Sequence, residues 1–204
     1  MVRIFDTPIK NLNEHFHNND TTIQKYLPME RIYTLTCNHC QLESLLGCPP
    51  NLITLDCSFN NLVSLKHCPE SVTDLKCSCN NLRKLKYCPP NLTNLELFNN
   101  PLISLKHISK HLTKLVLYET KLRNLKYLPP KLKQLEVHHN CYFIKIGWLP
   151  SCLKKLTIDD DCFEGNICSI PINICTIILY SPQTFRYYEF ENWLKLYSAK
   201  LVDN

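Results

Sequence analysis

The sequence predicts a repeat solenoid built around a parallel β-sheet. A phrase of leucine, cysteine and asparagine returns every twenty residues, most clearly at 52–62, 72–82 and 92–102. A fixed period of this length is typical of solenoid proteins. Around Leu55 and Cys57 apolar residues alternate with others, which is the pattern of a short strand with one buried face. Equivalent strands of successive copies would then pair in parallel.

Eight copies of the repeat can be aligned on their first apolar residue, and the last two steps are twenty-one residues long. The aligned residues are Ile32, Leu52, Val72, Leu92, Leu112, Leu132, Leu153 and Ile174. Between strands, Cys-Pro-Pro occurs at 48–50 and 88–90, and Leu-Pro-Pro at 128–130. Proline lacks an amide donor and restrains the residue before it, so these segments exclude a regular helix. We therefore expect each return leg, the segment between two strands, to consist of extended chain and turns.

The repeat resembles the leucine-rich repeat family, through LxxLxCxxNxL at 52–62 and 72–82 and LxxLxLxxNxL at 92–102. The short period and the prolines are most similar to the compact repeats of bacterial effector proteins, and the composition is similar to that of giant-virus members. The resemblance covers about residues 27–182. It implies an arc with a parallel β-sheet on its concave face, a turn-rich convex side and a role in protein binding.

One asparagine position of the repeat is predicted to be structural. It is occupied by Asn60, Asn80, Asn100 and Asn140, which correspond to the ladder of the family. A turn buried between copies leaves backbone amides and carbonyls without water. An asparagine side chain offers both a donor and an acceptor to satisfy them.

The two ends of the solenoid need caps, because an open end would expose the apolar interior of a terminal repeat. We expect an N-terminal cap over residues 1–26, with a short helix, and repeats over 27–182. Apolar and aromatic residues from Phe185 to Leu201 recur at helix-like spacing, which predicts a helical C-terminal cap over 183–204.

The thirteen cysteines are interpreted as reduced packing residues. Cys37, Cys57 and Cys77 share a repeat position with Leu97, and a position that accepts cysteine or an aliphatic residue is a packing position. Cys37-Asn-His-Cys40 has the spacing of half a zinc site, but a second ligand pair is missing from the sequence. We expect no metal, no cofactor and a reducing cytoplasmic setting, in the protein's own cell or in a host cell.

Catalytic chemistry is not expected. A nucleophile needs a base and an orienting partner at fixed geometry, and no repeat position gathers that set. The start of the chain lacks the apolar stretch of a secretion signal, and no run approaches the length of a membrane span.

The outward strand positions are predicted to line the concave face together and to form the binding site. They include Ser58, Ser78, Val116 and Thr157, and carboxylates outnumber lysines among them. The carboxylates are Asp56, Asp74, Glu96, Glu119, Glu136, Asp159 and Asp160, and the lysines are Lys76, Lys114 and Lys155. Aromatic residues among carboxylates favour a protein-interaction patch. The predicted partner-binding residues are Phe59, Glu96, Phe98, Tyr118, Glu119 and Glu136; a solvated sheet face with scattered aromatics is the alternative.

A second surface has its own pattern of positive charge, in a chain whose formal net charge is +5. Lys66, Lys86, Lys106 and Lys126 occupy one position of four successive copies, each followed by histidine or tyrosine. Such a column could bind nucleic acid or another anionic surface on the convex side, or it could be a solvated lysine copied by duplication. The sequence thus favours a noncatalytic protein-binding module, with an anion-binding module as the alternative.

Overall fold

The computed structural model of the chain describes residues 2–3, 29–138, 149–159, 171 and 173–180. Nine strands form one sheet in chain order, and every neighbouring pair is parallel. The strands are β1 (Val2–Arg3), β2 (Thr34–Thr36), β3 (Thr54–Asp56), β4 (Asp74–Lys76), β5 (Asn94–Glu96), β6 (Lys114–Tyr118), β7 (Gln134–His138), β8 (Lys155–Asp159) and β9 (Thr176–Tyr180). A 3₁₀ helix, Met29–Arg31, precedes β2.

Strands β2 to β9 are the eight copies read from the sequence, each beginning two residues after its aligned apolar residue. Leu55 of β3 pairs with Leu35 on one side and Leu75 on the other, a shift of one copy in each direction. The residue before each strand continues the pairing, as when the amide of Thr93 donates to the carbonyl of Thr73 at 2.8 Å. The predicted parallel solenoid is confirmed.

The sheet starts earlier than the sequence predicts. Val2 pairs with Leu35 and Arg3 with Thr36, so the segment expected to be only a helical cap contributes a strand. A strand of two residues is too short to show a hydrophobic period, and its stability comes from backbone pairing with β2. Residues 4–28 and 181–204, where the helical caps are predicted, lie outside the described part of the chain.

The core is a stack of apolar columns, and each of the first five copies supplies one buried residue to each column. In the second copy these residues are Leu52, Leu55, Cys57, Leu62 and Leu65, all at most 1% exposed. Full burial of one such leucine side chain contributes about 1.5–3 kcal/mol. The interior is therefore continuous along the axis.

The return legs are turns, as the prolines predict. The amide of Cys48 donates to the carbonyl of Leu45 at 3.1 Å, and the equivalent bond joins Cys88 to Leu85 at 3.0 Å. Beyond the 3₁₀ helix, the described residues contain no helix. No helix in that part of the chain has the length and apolar character needed to cross a membrane.

In the first five copies the backbone turns left-handed at two repeat positions, with one exception. The first follows the strand and is occupied by His39, Phe59, Cys79, Asn99 and Glu119, all with φ between 48° and 58°. The second lies in the return leg, at Gly47, His67, His107 and Tyr127. At this second position the third copy differs, since Tyr87 has no positive φ.

The difference at Tyr87 has a local cause in the return leg. In the first, second, fourth and fifth copies a short polar side chain accepts a bond from the amide two residues later, as Ser64 does from Lys66 and Ser104 from Lys106, both at 3.1 Å. Such side chains favour turns. Lys84 occupies the equivalent position in the third copy and cannot accept this bond.

Candidate protein-binding face

Four aromatic side chains form a continuous row along the carboxyl edge of the sheet. The ring of His39 stacks on that of Phe59, with centroids 4.3 Å apart and planes at 11°. Phe59 meets Phe98 edge-on at 6.2 Å, and Phe98 lies 6.4 Å from Tyr118. These separations are those of attractive aromatic pairs. We call these four side chains the aromatic row.

The row follows from the repeat. His39 and Phe59 occupy the left-handed position after β2 and β3, so their rings project from equivalent points of neighbouring copies. Phe98 and Tyr118 occupy the preceding position, after β5 and at the end of β6. Between Phe59 and Phe98, at the copy that contains Ser78, the row therefore shifts from one repeat position to the position before it.

Some residues predicted to point outward are buried: Ser58, Ser78, Val116 and Thr157. The prediction was wrong for them because small side chains between longer neighbours are covered. Val116, for example, sits in register between Glu96 and Glu136. The hydroxyl oxygens of Ser78 and Thr157 have no hydrogen-bond partner among the described residues.

Two carboxylates beside the aromatic row, Glu96 and Glu136, are already paired. Glu96 lies between two lysines, with its oxygens 3.6 Å from Lys76 Nζ and 3.4 Å from Lys114 Nζ. Glu136 pairs with Lys155 at 3.6 Å and accepts a hydrogen bond from the Tyr118 hydroxyl. On this face of the sheet, lysines and glutamates of neighbouring strands therefore form ion pairs.

The Tyr118 hydroxyl is held in its neutral form. Burial raises its pKa first, and the hydrogen bond to Glu136 together with the charges of Glu136 and Glu96 raises it further. A neutral hydroxyl donates to Glu136 and fixes the orientation of the ring at one end of the aromatic row.

The structure brings four of the six predicted site residues into one contacting set, the rings of Phe59, Phe98 and Tyr118 with the carboxylate of Glu136, whereas Glu96 pairs with Lys76 and Lys114. Phe59 is 43% exposed, and the other four of these predicted residues are half-buried. The sixth, Glu119, is exposed at the left-handed position beside Tyr118. Asp160 lies outside the described residues, as do the side chains of His138 and Asp159.

Sequence reasoning missed His39 as a member of the row. The signal was its spacing of twenty residues from Phe59, which places both in one column. His39 was considered only beside Cys37 and Cys40 as part of half a zinc site, an interpretation that the missing second ligand pair disfavours. In the structure Cys37 and Cys40 are buried in the core while His39 packs on Phe59. Within the described residues no three His, Cys, Asp or Glu side chains are grouped to hold a metal ion.

Beneath the aromatic row, three asparagines bond the turns of successive copies. Asn60 Nδ2 donates to the carbonyls of Cys37 at 2.8 Å and Cys57 at 2.9 Å, and its Oδ1 accepts from the amides of Cys40 and Leu42. Asn80 donates to Cys57 and accepts from Leu62, and Asn100 donates to Cys77 and accepts from Leu82, which repeats the Cys37 and Leu42 bonds of Asn60; Asn140 lies outside the described residues. Each amide therefore joins its own turn to the turn before it.

The cysteines of the described residues are free thiols. Cys37, Cys57 and Cys77 are fully buried, and burial raises their pKa well above the usual value. Burial also raises the pKa of Cys48 to about 12 and that of Cys88 to about 11. A thiol is nucleophilic as the thiolate, so this environment makes these side chains unreactive.

Comparison with known proteins supports the fold. No family model and no curated protein matches the chain. Among solved structures, YopM from Yersinia enterocolitica WA-314 is similar, with a TM-score of 0.59 and 24% identity. The match covers 87% of this chain and 41% of that one, so the chain spans about two fifths of the length of YopM. The chain has the leucine-rich repeat fold.

Proposed function

We propose that the protein is a noncatalytic leucine-rich repeat module that binds another protein through the strand side of its solenoid. The aromatic row carries this proposal. Aromatic side chains are enriched at protein interfaces and supply much of their binding energy. Here four of them touch one another on a single face, where they offer a connected apolar surface of partly exposed rings.

The row is held in place before any partner arrives, which favours binding. Phe59, Phe98 and Tyr118 are restrained by ring contacts, and Tyr118 also by Glu136. Ordering a free side chain on binding costs about 0.5–1.5 kcal/mol, so a restrained surface avoids part of that cost. We propose that the protein binds its partner through a fixed set of aromatic side chains on a rigid sheet, and not through a loop that changes conformation on binding.

The charges around the row indicate the chemistry of the partner. Among the outward residues of β3 to β8 and their following turns whose side chains are described, the carboxylates are Asp56, Asp74, Glu96, Glu119 and Glu136, and the lysines are Lys76, Lys114 and Lys155. This leaves a modest negative excess, with Glu119 exposed at the end of the row. A partner that presents an apolar or aromatic anchor with basic residues at its rim would complement this surface.

We propose the cytoplasm as the setting and a host protein as the partner. The ten described cysteines without a disulfide bond support a reducing compartment. The resemblance of the repeat to those of bacterial effector proteins supports a host partner.

The test is capture of a partner by the purified wild type and by two variants. Phe59→Ala/Phe98→Ala should lose a partner that the wild type retains at saturable one-to-one stoichiometry. Loss of a central aromatic commonly costs ~2 kcal/mol or more of binding free energy, about thirtyfold in affinity. Tyr87→Ala, which changes an exposed ring in a return leg, is the matched control and should bind as the wild type does.

Two results would contradict the proposal. One is a captured partner that both variants retain with equal affinity. The other is hydrogen exchange in the complex that protects the return legs and leaves the turns after β3 and β5 unchanged. Either result would place the contact away from the aromatic row.

A further inference from the structure

The return legs carry a separate and strongly basic surface. Segments 61–73, 81–93, 101–113 and 121–133 hold eleven lysines and arginines but one acidic residue, Glu70. Their formal excess of ten positive charges is twice the +5 of the whole chain. The basic residues are Lys66, Arg83, Lys84, Lys86, Lys106, Lys110, Lys121, Arg123, Lys126, Lys131 and Lys133, and every one is exposed. We call these four segments the basic face.

The sign of the charge separates the two sides of the solenoid. The ion pairs described above for Glu96 and Glu136 join residues of the strands. On the basic face one carboxylate stands against eleven cations, so the formal charge of these four segments is strongly positive. Concentrated positive charge of this kind attracts a polyanion and raises its association rate.

The basic face alternates in a two-copy pattern. The second and fourth of its segments carry the same triplet of arginine, lysine and tyrosine: Arg83, Lys86 and Tyr87, then Arg123, Lys126 and Tyr127. The first and third carry an aliphatic residue, lysine and histidine at those positions. Equivalent residues of successive copies follow the strand spacing of about 5 Å, so the two tyrosines are separated by about 10 Å or more.

Each tyrosine lies beside a cation. Lys86 Nζ is 5.2 Å from the centroid of the Tyr87 ring, and Lys126 Nζ is 5.5 Å from that of Tyr127. The rings themselves stay open to solvent, at 44% and 51% exposure. An exposed ring beside a lysine combines a stacking platform with a phosphate ligand, and proteins use this combination to bind single-stranded nucleic acid.

We propose that the basic face binds single-stranded nucleic acid, with phosphates along the column of Lys66, Lys86, Lys106 and Lys126 and unpaired bases stacked on Tyr87 and Tyr127. A duplex keeps its bases stacked on one another and would leave both rings unused. An anionic membrane would satisfy the charges but would not require an aromatic ring beside each second lysine. This surface is distinct from the aromatic row, so the proposal is independent of the protein-binding function.

The test uses a fluorescein-labelled oligothymidylate of about sixteen nucleotides and fluorescence anisotropy across a series of salt concentrations starting near 50 mM. Each contacted phosphate of a single strand contributes about −0.7 to the slope of log K against log salt concentration. Lys66→Ser, Lys86→Ser, Lys106→Ser and Lys126→Ser combined should therefore reduce the steepness of that slope by about 3.

A second variant tests the stacking. Tyr87→Ala/Tyr127→Ala should weaken binding about tenfold or more for each stacked base while leaving the salt slope unchanged. Tyr33→Ala is the matched control, because Tyr33 is 55% exposed but precedes β2, outside the basic face. All the changed side chains are exposed, and thermal unfolding checks that each variant remains folded.

Three results would overturn the proposal. They are no binding at the lowest salt concentration, unchanged affinity in the tyrosine variant, and a preference for phosphatidylserine vesicles that is insensitive to the tyrosine changes. The last result would identify the basic face as a membrane-surface contact.

Discussion

Phe59 and Phe98 follow strands that are not neighbours, yet their rings meet at 6.2 Å. Two strand spacings amount to about 9.6 Å, so the two side chains must lean toward each other across the copy between them. That copy carries Ser78 and Cys79 at the corresponding positions, and Ser78 is 1% exposed. The aromatic row is continuous because the side chains of this copy are small.

The buried hydroxyl of Ser78 leads to the first prediction. Its oxygen has no hydrogen-bond partner among the described residues, so the folded state bears the desolvation cost of an unpaired polar atom. We expect Ser78→Ala to be neutral or to raise the free energy of unfolding by about 1 kcal/mol, measured by urea denaturation. A loss above 1 kcal/mol would mean that the hydroxyl has a partner.

The second prediction concerns Asn80, two residues further on. Asn80→Ala should lower the free energy of unfolding by about 1–3 kcal/mol, because it leaves the carbonyl of Cys57 and the amide of Leu62 without their side-chain partner. Asn81→Ala is the matched control, since Asn81 is exposed and its own amide, not its side chain, donates to Leu62. Equal stability of the two variants would remove the structural role of the asparagines.

The third prediction concerns the dependence of stability on pH. Unfolded thiols ionise near pH 8.5, whereas burial raises the pKa of Cys57 well above that value. Above pH 8.5 the unfolded state has therefore released a proton that the folded state retains. The free energy of unfolding then falls as pH rises, by about 1.4 kcal/mol per pH unit for each such thiol.

Cys57→Val isolates this effect. Near neutral pH the change should cost less than about 1.5 kcal/mol, since valine is close in size. Between pH 9 and 10 the loss of stability with pH should be shallower than in the wild type by about 1.4 kcal/mol per pH unit. The measurement is urea unfolding under reducing conditions. If the free energy of unfolding of the wild type and of Cys57→Val fell equally with pH, the prediction would be wrong, and the Cys57 thiol would be ionised in the folded state or accessible to water.

The fourth prediction compares glycine at two equivalent positions. His67 has φ of 69°, where a side chain is disfavoured, while Tyr87 at the same position of the next copy has no positive φ. His67→Gly should be neutral or stabilising, because relief of the left-handed strain, roughly 1 kcal/mol, offsets the entropy of glycine. Tyr87→Gly has no strain to relieve and should cost about 0.5–1 kcal/mol. Thermal unfolding of the two variants checks the order, and the reverse order would contradict the assigned turn conformations.

The columns of the fold could be predicted from the sequence because a parallel register repeats each residue type at one depth. Leu35, Leu55 and Leu75 pair in one line, so the period alone locates them. Contacts between columns could not be predicted in this way. The stack of His39 on Phe59, the bridge from Phe59 to Phe98 and the pairing of Glu96 with two lysines depend on rotamers and on which copy carries a small residue.

The short strand β1 was also beyond the sequence pattern. Val2–Arg3 has no periodicity of its own, and its strand conformation comes from the open edge of β2. Periodicity indicates where a side chain is buried, but it does not reveal which distant segment completes a row of backbone hydrogen bonds.

The uniform register between β2 and β6 makes the length of this protein adjustable. Each strand pairs with its predecessor through residues twenty positions apart, and Asn60, Asn80 and Asn100 donate to equivalent carbonyls of the copy before them. Excision of residues 61–80 would join Asn60 to Asn81 and present each remaining strand with an equivalent neighbour. Gain or loss of whole copies is thus a route by which such a chain can change its span while conserving its cross-section.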